Sequence, residues 1–271
     1  MKAGTTSLHH YLDMHPDIYM SKIKEPHFFV KEENWSKGLD WYKKLFVTDK
    51  VIRGESSQGY TKCHSEKGVA KRIKETIPNV KLIYLLRDPI DRIISHAVEY
   101  FTEIHKITDL NKDLSGNLDI HIVKTSMYYY QISEYLKYFD LNQIHILTLE
   151  DLRDNRLEEM NKIFDFIGVK RLNDNKIFDF VKNSGQEKVI KNKFAKISEN
   201  SSLKNIVKKV FRINTFNKFK RSKLYEKIFT KPVAKPVITP EIEKRLIEYL
   251  KDDVNKLKDL TGLTFDKWKM Y

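Results

Sequence analysis

The sequence predicts an α/β domain with a central, mostly parallel sheet that carries helices on both faces. Apolar runs of strand length alternate with amphipathic helical patterns along the chain, which is the order typical of such folds. Hydrophobic residues make up 41% of the 271-residue chain, which is enough to build a core and excludes wholesale disorder. Because single α/β domains commonly reach about 250 residues, we expect one domain over residues 1–271.

The clearest unit is a strand, a short turn and a helix around residues 80–101. The apolar run at residues 80–86 predicts a buried strand, after which Asp88 fits a helix N-cap and Pro89 a first helical position. The helix that follows repeats apolar residues at helical spacing, at Ile90, Ile93, Ile94, Ala97, Val98 and Phe101. This unit is the basic step of a parallel α/β fold.

The remaining elements continue the alternation of helices and strands. Helices are expected over residues 5–14, 128–139, 157–167 and 240–260, and strands over residues 51–54 and 144–149. Gly168 is a typical stop for the third of these helices, and Thr239 followed by Pro240 is a typical start for the fourth. In such a fold, ligands bind at the carboxyl ends of the strands.

Charge and cysteine content narrow the class of protein. The net charge of +13 favours an anionic partner and leaves open a nucleotide, a polyanionic glycan, a nucleic acid or an acidic membrane; a lysine-rich surface can equally reflect genomic base composition. Cys63 is the only cysteine, which excludes an intramolecular disulfide and argues against a cysteine-based zinc site. No apolar run approaches the roughly 18 residues of a membrane span. We therefore expect a cytoplasmic protein.

Residues 188–235 form a strongly basic segment. They hold fifteen Lys or Arg residues against two Glu. Within them, residues 203–211 carry an apolar stripe flanked by lysines, which is the pattern of a basic amphipathic helix. We expect a surface helix docked on the core, with peripheral membrane contact as the alternative.

A lysine, a glycine and three hydroxyl side chains open the chain at the start of its first helix. The run consists of Lys2, Ala3, Gly4, Thr5, Thr6 and Ser7. Backbone N–H groups at a helix N-terminus point at an anion, glycine allows close approach and lysine adds positive charge. The run therefore predicts a phosphate-binding loop, with an ordinary capped helix as the alternative. The Gly-Lys-Ser or Gly-Lys-Thr triplet of a Walker A loop is absent.

A second phosphate contact is predicted at the end of the strand at residues 80–86. Arg87 offers a planar fork of donors for phosphate oxygens, and Ser95, eight residues later on the helix, offers a neutral donor. The alternative is that Arg87 pairs with a local carboxylate such as Asp88 or Asp91.

Three motifs carry a resemblance to a known family. Residues 2–8, 24–29 and 86–95 resemble the 5′-phosphosulfate loop, the catalytic segment and the 3′-phosphate motif of sulfotransferases that use 3′-phosphoadenosine 5′-phosphosulfate (PAPS). The motifs resemble most closely those of glycan sulfotransferases of the heparan sulfate type and their bacterial relatives. Weaker similarities to the same family lie at residues 54–60, 126–128 and 260–268. It covers most of the chain outside the basic segment.

The resemblance implies a fold and an activity. The fold is a single P-loop-like, three-layer sulfotransferase domain, with residues 188–238 as a basic insertion or lid. The activity is sulfuryl transfer from PAPS to a hydroxyl or amine of an acceptor, with a carbohydrate favoured and no metal required.

The resemblance also assigns roles to individual residues. Glu25 is the expected base, His27 orients the acceptor or assists, and Lys2 neutralises charge on the leaving group. The expected cofactor contacts are Lys2, Ala3, Gly4, Thr5, Thr6 and Ser7 for the 5′ side and Arg87, Ser95 and Lys188 for the 3′ side. Without the resemblance, Glu25 is one carboxylate among many and His27 a packing histidine.

The sequence departs from the family pattern in two places. The family's first strand would precede Met1 and is absent, so we expect that residues upstream are missing. At residues 54–60, Ser56 and Gln58 stand where glycan sulfotransferases often have lysine and proline, which bears on acceptor specificity.

Two other functions are weighed against sulfuryl transfer. A P-loop nucleotide phosphotransferase is disfavoured because the sequence lacks the Walker triplet. A basic nucleic-acid-binding protein fits the charge of residues 188–235, but no known nucleic-acid-binding motif is visible.

Overall fold

Four of the strands pair in parallel, as the sequence predicts. The computed structural model describes residues 2–104, 107–178, 189–191 and 230–270. Strand β1 (Ile18–Met20) pairs with β2 (Ile52–Gly54), and β3 (Leu82–Leu86) pairs with β4 (Ile144–Thr148), both in parallel register. An antiparallel pair joins β5 (Val189–Lys191) to β6 (Thr230–Pro232). The parallel pairs and their helical connections confirm the α/β class.

Helices connect and follow these strands. In chain order they are α1 (Thr5–Asp13), α2 (Gly38–Lys43), α3 (Val69–Thr76), α4 (Pro89–Glu103), α5 (Leu110–Ser115), α6 (His121–Lys124), α7 (Tyr128–Tyr135), α8 (Leu149–Asp154), α9 (Arg156–Ile167) and α10 (Pro240–Thr261). Among the described helices, none is both long and apolar enough to cross a membrane.

The chain forms two compact units. The first comprises Met1–Ile93, Asn117–Ser184 and Thr239–Tyr271, and the second comprises Ile94–Gly116 and Gly185–Ile238. In the second unit, Asp109 caps α5 by accepting from the backbone N–H of Asn111 at 3.0 Å, and the Asn111 amide donates to the Val237 carbonyl at 3.0 Å. The predicted helix at residues 203–211 lies outside the described residues.

Helix ends form where the sequence signals them. The Asp88 carboxylate accepts from the N–H of Asp91 at 2.8 Å, which is the predicted N-cap of α4. Thr239 caps α10 by accepting from the N–H of Ile242 at 3.3 Å. Gly168 ends α9 at φ 82°, in the left-handed region that favours glycine. The short strand β1 and the short helices α2, α3, α5, α6 and α8 were not predicted.

Two apolar clusters form the core of the first unit. One is aromatic and is built around Phe28, Phe29, Tyr42, Tyr128 and Trp268, with the Phe28 and Tyr42 rings stacked at 4.4 Å. The other packs α1 and α9 together through an aliphatic and aromatic set, including Leu8, Tyr11, Ile163, Phe164 and Phe178. The first cluster lies beneath the predicted catalytic segment and the second beneath the predicted phosphate loop.

A cavity of about 970 Å³ in the first unit is lined by both β2 and β3. Its walls include Ile52, Arg53 and Gly54 of β2 and the β3 residues at positions 82–85. Among the described strands, β2 pairs only with β1 and β3 only with β4, so the predicted single sheet is divided into two parallel pairs. Each of the two strands therefore has one edge without a strand partner in the described part of the chain.

Candidate functional site

The predicted phosphate loop leads directly into α1. Gly4 adopts φ 85°, and its carbonyl accepts from the N–H of Ser7 at 3.0 Å, which begins the helix. A Cβ at Gly4 would stand 2.6 Å from Cδ1 of Leu149, so a larger residue would have to displace the Leu149 side chain and also adopt a strained φ. The N–H groups of Thr5 and Thr6 precede the regular hydrogen bonds of the helix, and both residues are half-buried. The loop therefore has the geometry of an anion site.

Arg87 joins the loop to the end of β3. Its guanidinium donates to the Lys2 carbonyl at 3.2 Å, although 85 residues separate the two in sequence. It also contacts the Asp91 carboxylate at 3.4 Å, which is the alternative that the sequence left open. The hydroxyl of buried Tyr128 donates to the Arg87 carbonyl at 2.6 Å and fixes the backbone there. Two predicted phosphate-binding elements thus meet.

The predicted catalytic segment, residues 24–29, packs on the loop that follows β2. The N–H of Glu25 donates to the Ser56 carbonyl at 2.9 Å, and the N–H of His27 donates to the Ser57 hydroxyl at 3.0 Å. Ser56 also contacts α1, because its hydroxyl lies 3.0 Å from Nδ1 of buried His9. Ser56 therefore links the phosphate-loop helix to the predicted base. Burial, together with the charges on His10 and Lys24, lowers the pKa of His9.

The half-buried carboxyl of Glu55 anchors this loop to the aromatic cluster. Glu55 accepts hydrogen bonds from the hydroxyls of Tyr60 at 2.5 Å, Ser57 at 2.7 Å and Tyr42 at 3.3 Å. Burial raises the pKa of Glu55, and these three hydrogen bonds oppose that shift. Because Ser57 also accepts from the His27 backbone, Glu55 connects the predicted catalytic segment to Tyr42 and Tyr60 through hydrogen bonds.

The side chains of Glu25 and His27 face each other. One oxygen of Glu25 pairs with the Lys24 ammonium, and the other lies 3.9 Å from Nε2 of His27. On its opposite edge, Nδ1 of His27 lies 2.7 Å from a carboxylate oxygen of Glu33. The arrangement is a row of three groups, Glu25, His27 and Glu33, that can accept and hold a proton.

Backbone strain coincides with the predicted site. Among the described residues, those other than glycine with positive φ are Lys2 (63°), Glu25 (61°), His27 (45°) and Phe265 (56°). The left-handed region costs an ordinary residue about 1–2 kcal/mol, so surrounding contacts must hold it in place. Three of these four residues are the predicted catalytic residues. Strain of this kind is typical of functional sites.

The other predicted site residues are placed as follows. Ala3 is buried beneath the loop, and Ser7 is half-buried in the first turn of α1. Ser95 lies on α4 within the second unit, where it is half-buried. Lys188 lies outside the described residues. The part of the chain that the structure describes holds no cluster of three or more His, Cys, Asp or Glu side chains suited to a metal ion.

Sequence reasoning missed Glu33, Glu55, Ser57 and His9. Glu55 and Ser57 fall in residues 54–60, where a weak family echo was visible but gave no roles. His9 follows the phosphate loop on the same helix, so its position was predictable, although its contact with Ser56 was not. No sequence pattern indicated the contact of Glu33 with His27, because it is the turn after His27 that brings the Glu33 carboxylate to the imidazole.

Comparison with known proteins agrees with this geometry. Residues 1–261 match the sequence model of the family described as "Sulfotransferase domain". The chain is 28% identical over 180 residues to mouse heparan sulfate glucosamine 3-O-sulfotransferase 5, covering 62% of this chain and 51% of that protein. It is 28% identical over 193 residues to human heparan sulfate glucosamine 3-O-sulfotransferase 3B1, covering 68% and 48% respectively. The chain therefore spans about half the length of the curated relatives it matches.

Among solved structures, the fold is similar to that of a sulfotransferase from Alicyclobacillus acidocaldarius. The TM-score is 0.66 at 21% sequence identity, over 99% of this chain and 95% of that one. At this identity the likeness concerns the fold alone. Because the family match extends over nearly the whole sequence, the chain belongs to the sulfotransferase domain family.

Proposed function

We propose that the protein transfers a sulfuryl group from PAPS to a hydroxyl or amine of a carbohydrate acceptor. The observation that carries the proposal is the contact of Arg87 with the Lys2 carbonyl at 3.2 Å, which joins the two predicted phosphate-binding elements. Ser56 then ties the same loop helix to Glu25. Membership of the sulfotransferase domain family supports the assignment. Neither a phosphotransferase nor a nucleic-acid-binding function gains support from these relatives.

The residues of the loop fit an anionic nucleotide. The helix start, the left-handed Gly4 and the hydroxyls of Thr5, Thr6 and Ser7 would hold the 5′-phosphate, and Lys2 would neutralise charge on the departing oxygen. Arg87 would bind the 3′-phosphate; the contributions of Ser95 and Lys188 there stay predictions. PAPS would supply the activated sulfuryl group.

Glu25 would accept the proton of the acceptor. Sulfuryl transfer resembles phosphoryl transfer in that positioning and electrostatics dominate, so the protein mainly aligns the acceptor and takes its proton. The strained backbone at Glu25, held by Ser56, points to a carboxylate fixed before the substrate arrives. The Lys24 ammonium pairs with one carboxylate oxygen of Glu25, and it must release that oxygen when the acceptor binds.

A glucosamine-containing, acidic glycan is the acceptor we propose first. The two mammalian relatives act on heparan sulfate glucosamine by name. The net charge of +13 would also raise the local concentration of a polyanion, an effect that salt weakens. The basic residues at positions 188–235 would contribute most of this attraction.

We further propose that the divided sheet is one P-loop-like, three-layer sheet completed by an additional strand. The cavity lined by β2 and β3 has strand edges on two sides, and a parallel strand there would pair with both. A strand ending at Lys2 would enter the loop directly, because the Lys2 carbonyl lies at the carboxyl end of β3. The domain would then be single, with residues 188–238 as a basic insertion.

A cytoplasmic location, with peripheral contact to acidic membranes through the basic segment, is also proposed. Its support is the single cysteine, which suits a reducing compartment. Fractionation of cells that express the full chain at low and high salt would test it, since electrostatic membrane contact is released by salt.

The test of the function is a transfer assay. The purified chain is incubated with PAPS and a panel of glucosamine-containing glycans, and mass spectrometry follows the mass increment of one sulfate. Glu25→Gln is the matched inactive variant, expected to bind adenosine 3′,5′-bisphosphate normally but to turn over about 10²–10⁴-fold more slowly. Equal turnover by Glu25→Gln would place the base elsewhere, and binding of neither PAPS nor the bisphosphate by the wild-type chain would end the proposal.

A further inference from the structure

The imidazole of His27 is anchored on one edge only. Nδ1 lies 2.7 Å from the Glu33 carboxylate, while Nε2 is buried and has no hydrogen-bond partner among the described residues. The nearest acidic group to Nε2 is Glu25, whose Oε2 is 3.9 Å away. A buried, unpaired ring nitrogen is costly, which suggests that it is kept for a ligand or a proton.

The partner on Nδ1 decides which nitrogen carries the proton. An ionised carboxylate can only accept hydrogen bonds, so Nδ1 must carry the hydrogen that it donates to Glu33. In the neutral ring, Nε2 is then left with a free lone pair. That lone pair lies on the side of Glu25, where the acceptor must bind.

The turn after the catalytic segment holds Glu33 in place. The N–H of Val30 donates to the His27 carbonyl at 3.1 Å, and the N–H of Glu33 donates to the Val30 carbonyl at 3.2 Å. The Asn34 amide reaches back to the Pro26 carbonyl at 2.7 Å. These bonds fix the backbone of residues 30–34, so the Glu33 side chain, which is 46% exposed, extends to the imidazole from a defined turn.

We propose that Glu33 is a positioning residue that fixes His27 as the proton receiver of the site. As the acceptor oxygen bonds to sulfur, the bond between sulfur and the bridging oxygen of PAPS breaks, and adenosine 3′,5′-bisphosphate leaves with the electron pair. Glu25 takes the acceptor proton and then passes it to Nε2 of His27. The acceptor O–H bond is broken, Glu25 returns to its ionised form, and the new imidazolium is neutralised by Glu33. The 3.9 Å gap must shorten when the acceptor binds, as catalytic contacts often do. This inference rests on the proposed function.

The tautomer of His27 is the direct readout. Nitrogen NMR of histidine-labelled full chain at alkaline pH shows which ring nitrogen carries hydrogen, and His27→Gln identifies the signal among the nine histidines. We expect hydrogen on Nδ1 in the wild type and loss of that preference in Glu33→Ala. Turnover should fall roughly 10- to 100-fold in Glu33→Ala, the value of a hydrogen bond to a charged group, with bisphosphate affinity unchanged.

Glu32→Ala is the matched control, because Glu32 is an exposed carboxylate on the same turn. It should leave both tautomer and turnover as in the wild type. If Glu33→Ala does not fold, Glu33→Gln replaces it, and we expect it to keep an accepting oxygen, retain the tautomer and lose turnover in part. An unchanged tautomer in Glu33→Ala, or a loss of turnover matched by equal loss of bisphosphate binding, would overturn the inference. A wild-type chain without any PAPS turnover refutes the proposed function instead, while the tautomer still decides the role of Glu33.

Discussion

Gly4 is a position of the predicted phosphate loop where a side chain is poorly tolerated. Its φ of 85° and the 2.6 Å that would separate an added Cβ from Leu149 are two separate obstacles to a side chain. Gly4→Ala should therefore displace the loop and weaken binding of adenosine 3′,5′-bisphosphate by about tenfold, which corresponds to roughly 1–2 kcal/mol of strain. Calorimetric titration of the variant measures this loss.

Gly168 provides a matched control for backbone strain alone. It has φ 82°, and an added Cβ there would meet nothing within 4 Å. Gly168→Ala should lower the melting temperature without changing bisphosphate affinity. Equal affinities of the Gly4→Ala and wild-type chains would show that the loop does not contact the nucleotide.

At the scale of elements, α10 stabilises α7 through one buried carboxylate. Asp253, 5% exposed, accepts from the N–H of Tyr130 at 2.8 Å and of Tyr129 at 3.0 Å, and so satisfies the first turn of α7. Burial is the largest influence and raises the pKa of Asp253 from 3.8 to about 6, against the opposing effect of these hydrogen bonds.

This raised pKa predicts a pH dependence of stability. The folded protein binds the Asp253 proton more tightly than the unfolded chain does. The stability that this proton contributes is therefore complete below pH 3.8 and is lost as the pH rises through about 6. The loss amounts to at most about 3 kcal/mol. The free energy of unfolding of the wild type minus that of Asp253→Asn should therefore decrease as the pH is raised from about 4 to about 7. Urea titration at each pH measures both free energies.

Asp259→Asn, an exposed change on the same helix, serves as its control. Its stability should run parallel to that of the wild type over the same pH range. If the free energy of unfolding of Asp253→Asn also runs parallel to that of the wild type across this pH range, Asp253 has the same pKa in the folded and unfolded states and the prediction is wrong.

Helices that begin with capping residues were predictable from the sequence, and short elements were not. Asp88 with Pro89 and Thr239 with Pro240 marked the starts of α4 and α10, because caps act on the adjacent backbone. The three-residue strand β1 is too short for a period to be read, and its pairing with β2 is a tertiary effect.

The same distinction applies to the candidate site. The contiguous runs at residues 2–7 and 24–27 could be predicted, because loop chemistry is local. The contacts of Glu33 with His27 and of Ser56 with His9 depend on how turns pack, which no spacing encodes. The sequence therefore indicates contiguous candidate residues more readily than the contacts that hold them in place.

For the whole molecule, the divided sheet predicts that an added strand stabilises the fold. A short Val- and Ile-rich strand fused directly ahead of Lys2 should fill the cavity lined by β2 and β3. Each buried apolar side chain adds about 1.5–3 kcal/mol, so the melting temperature should rise by at least about 5 °C. A Gly- and Ser-rich extension of equal length is the control, and equal melting temperatures for both would show that no strand binds there.

The central claim is that this site binds a nucleotide with phosphates at both ends, and its most direct test is independent of the acceptor. Calorimetric titration compares adenosine 3′,5′-bisphosphate with AMP, which lacks the 3′-phosphate expected to bind Arg87. We predict that the bisphosphate binds about 10- to 100-fold more tightly, the value of charge-assisted hydrogen bonds to one phosphate. Arg87→Ala should remove most of that difference. Equal affinities of the wild-type chain for the two nucleotides would contradict the account.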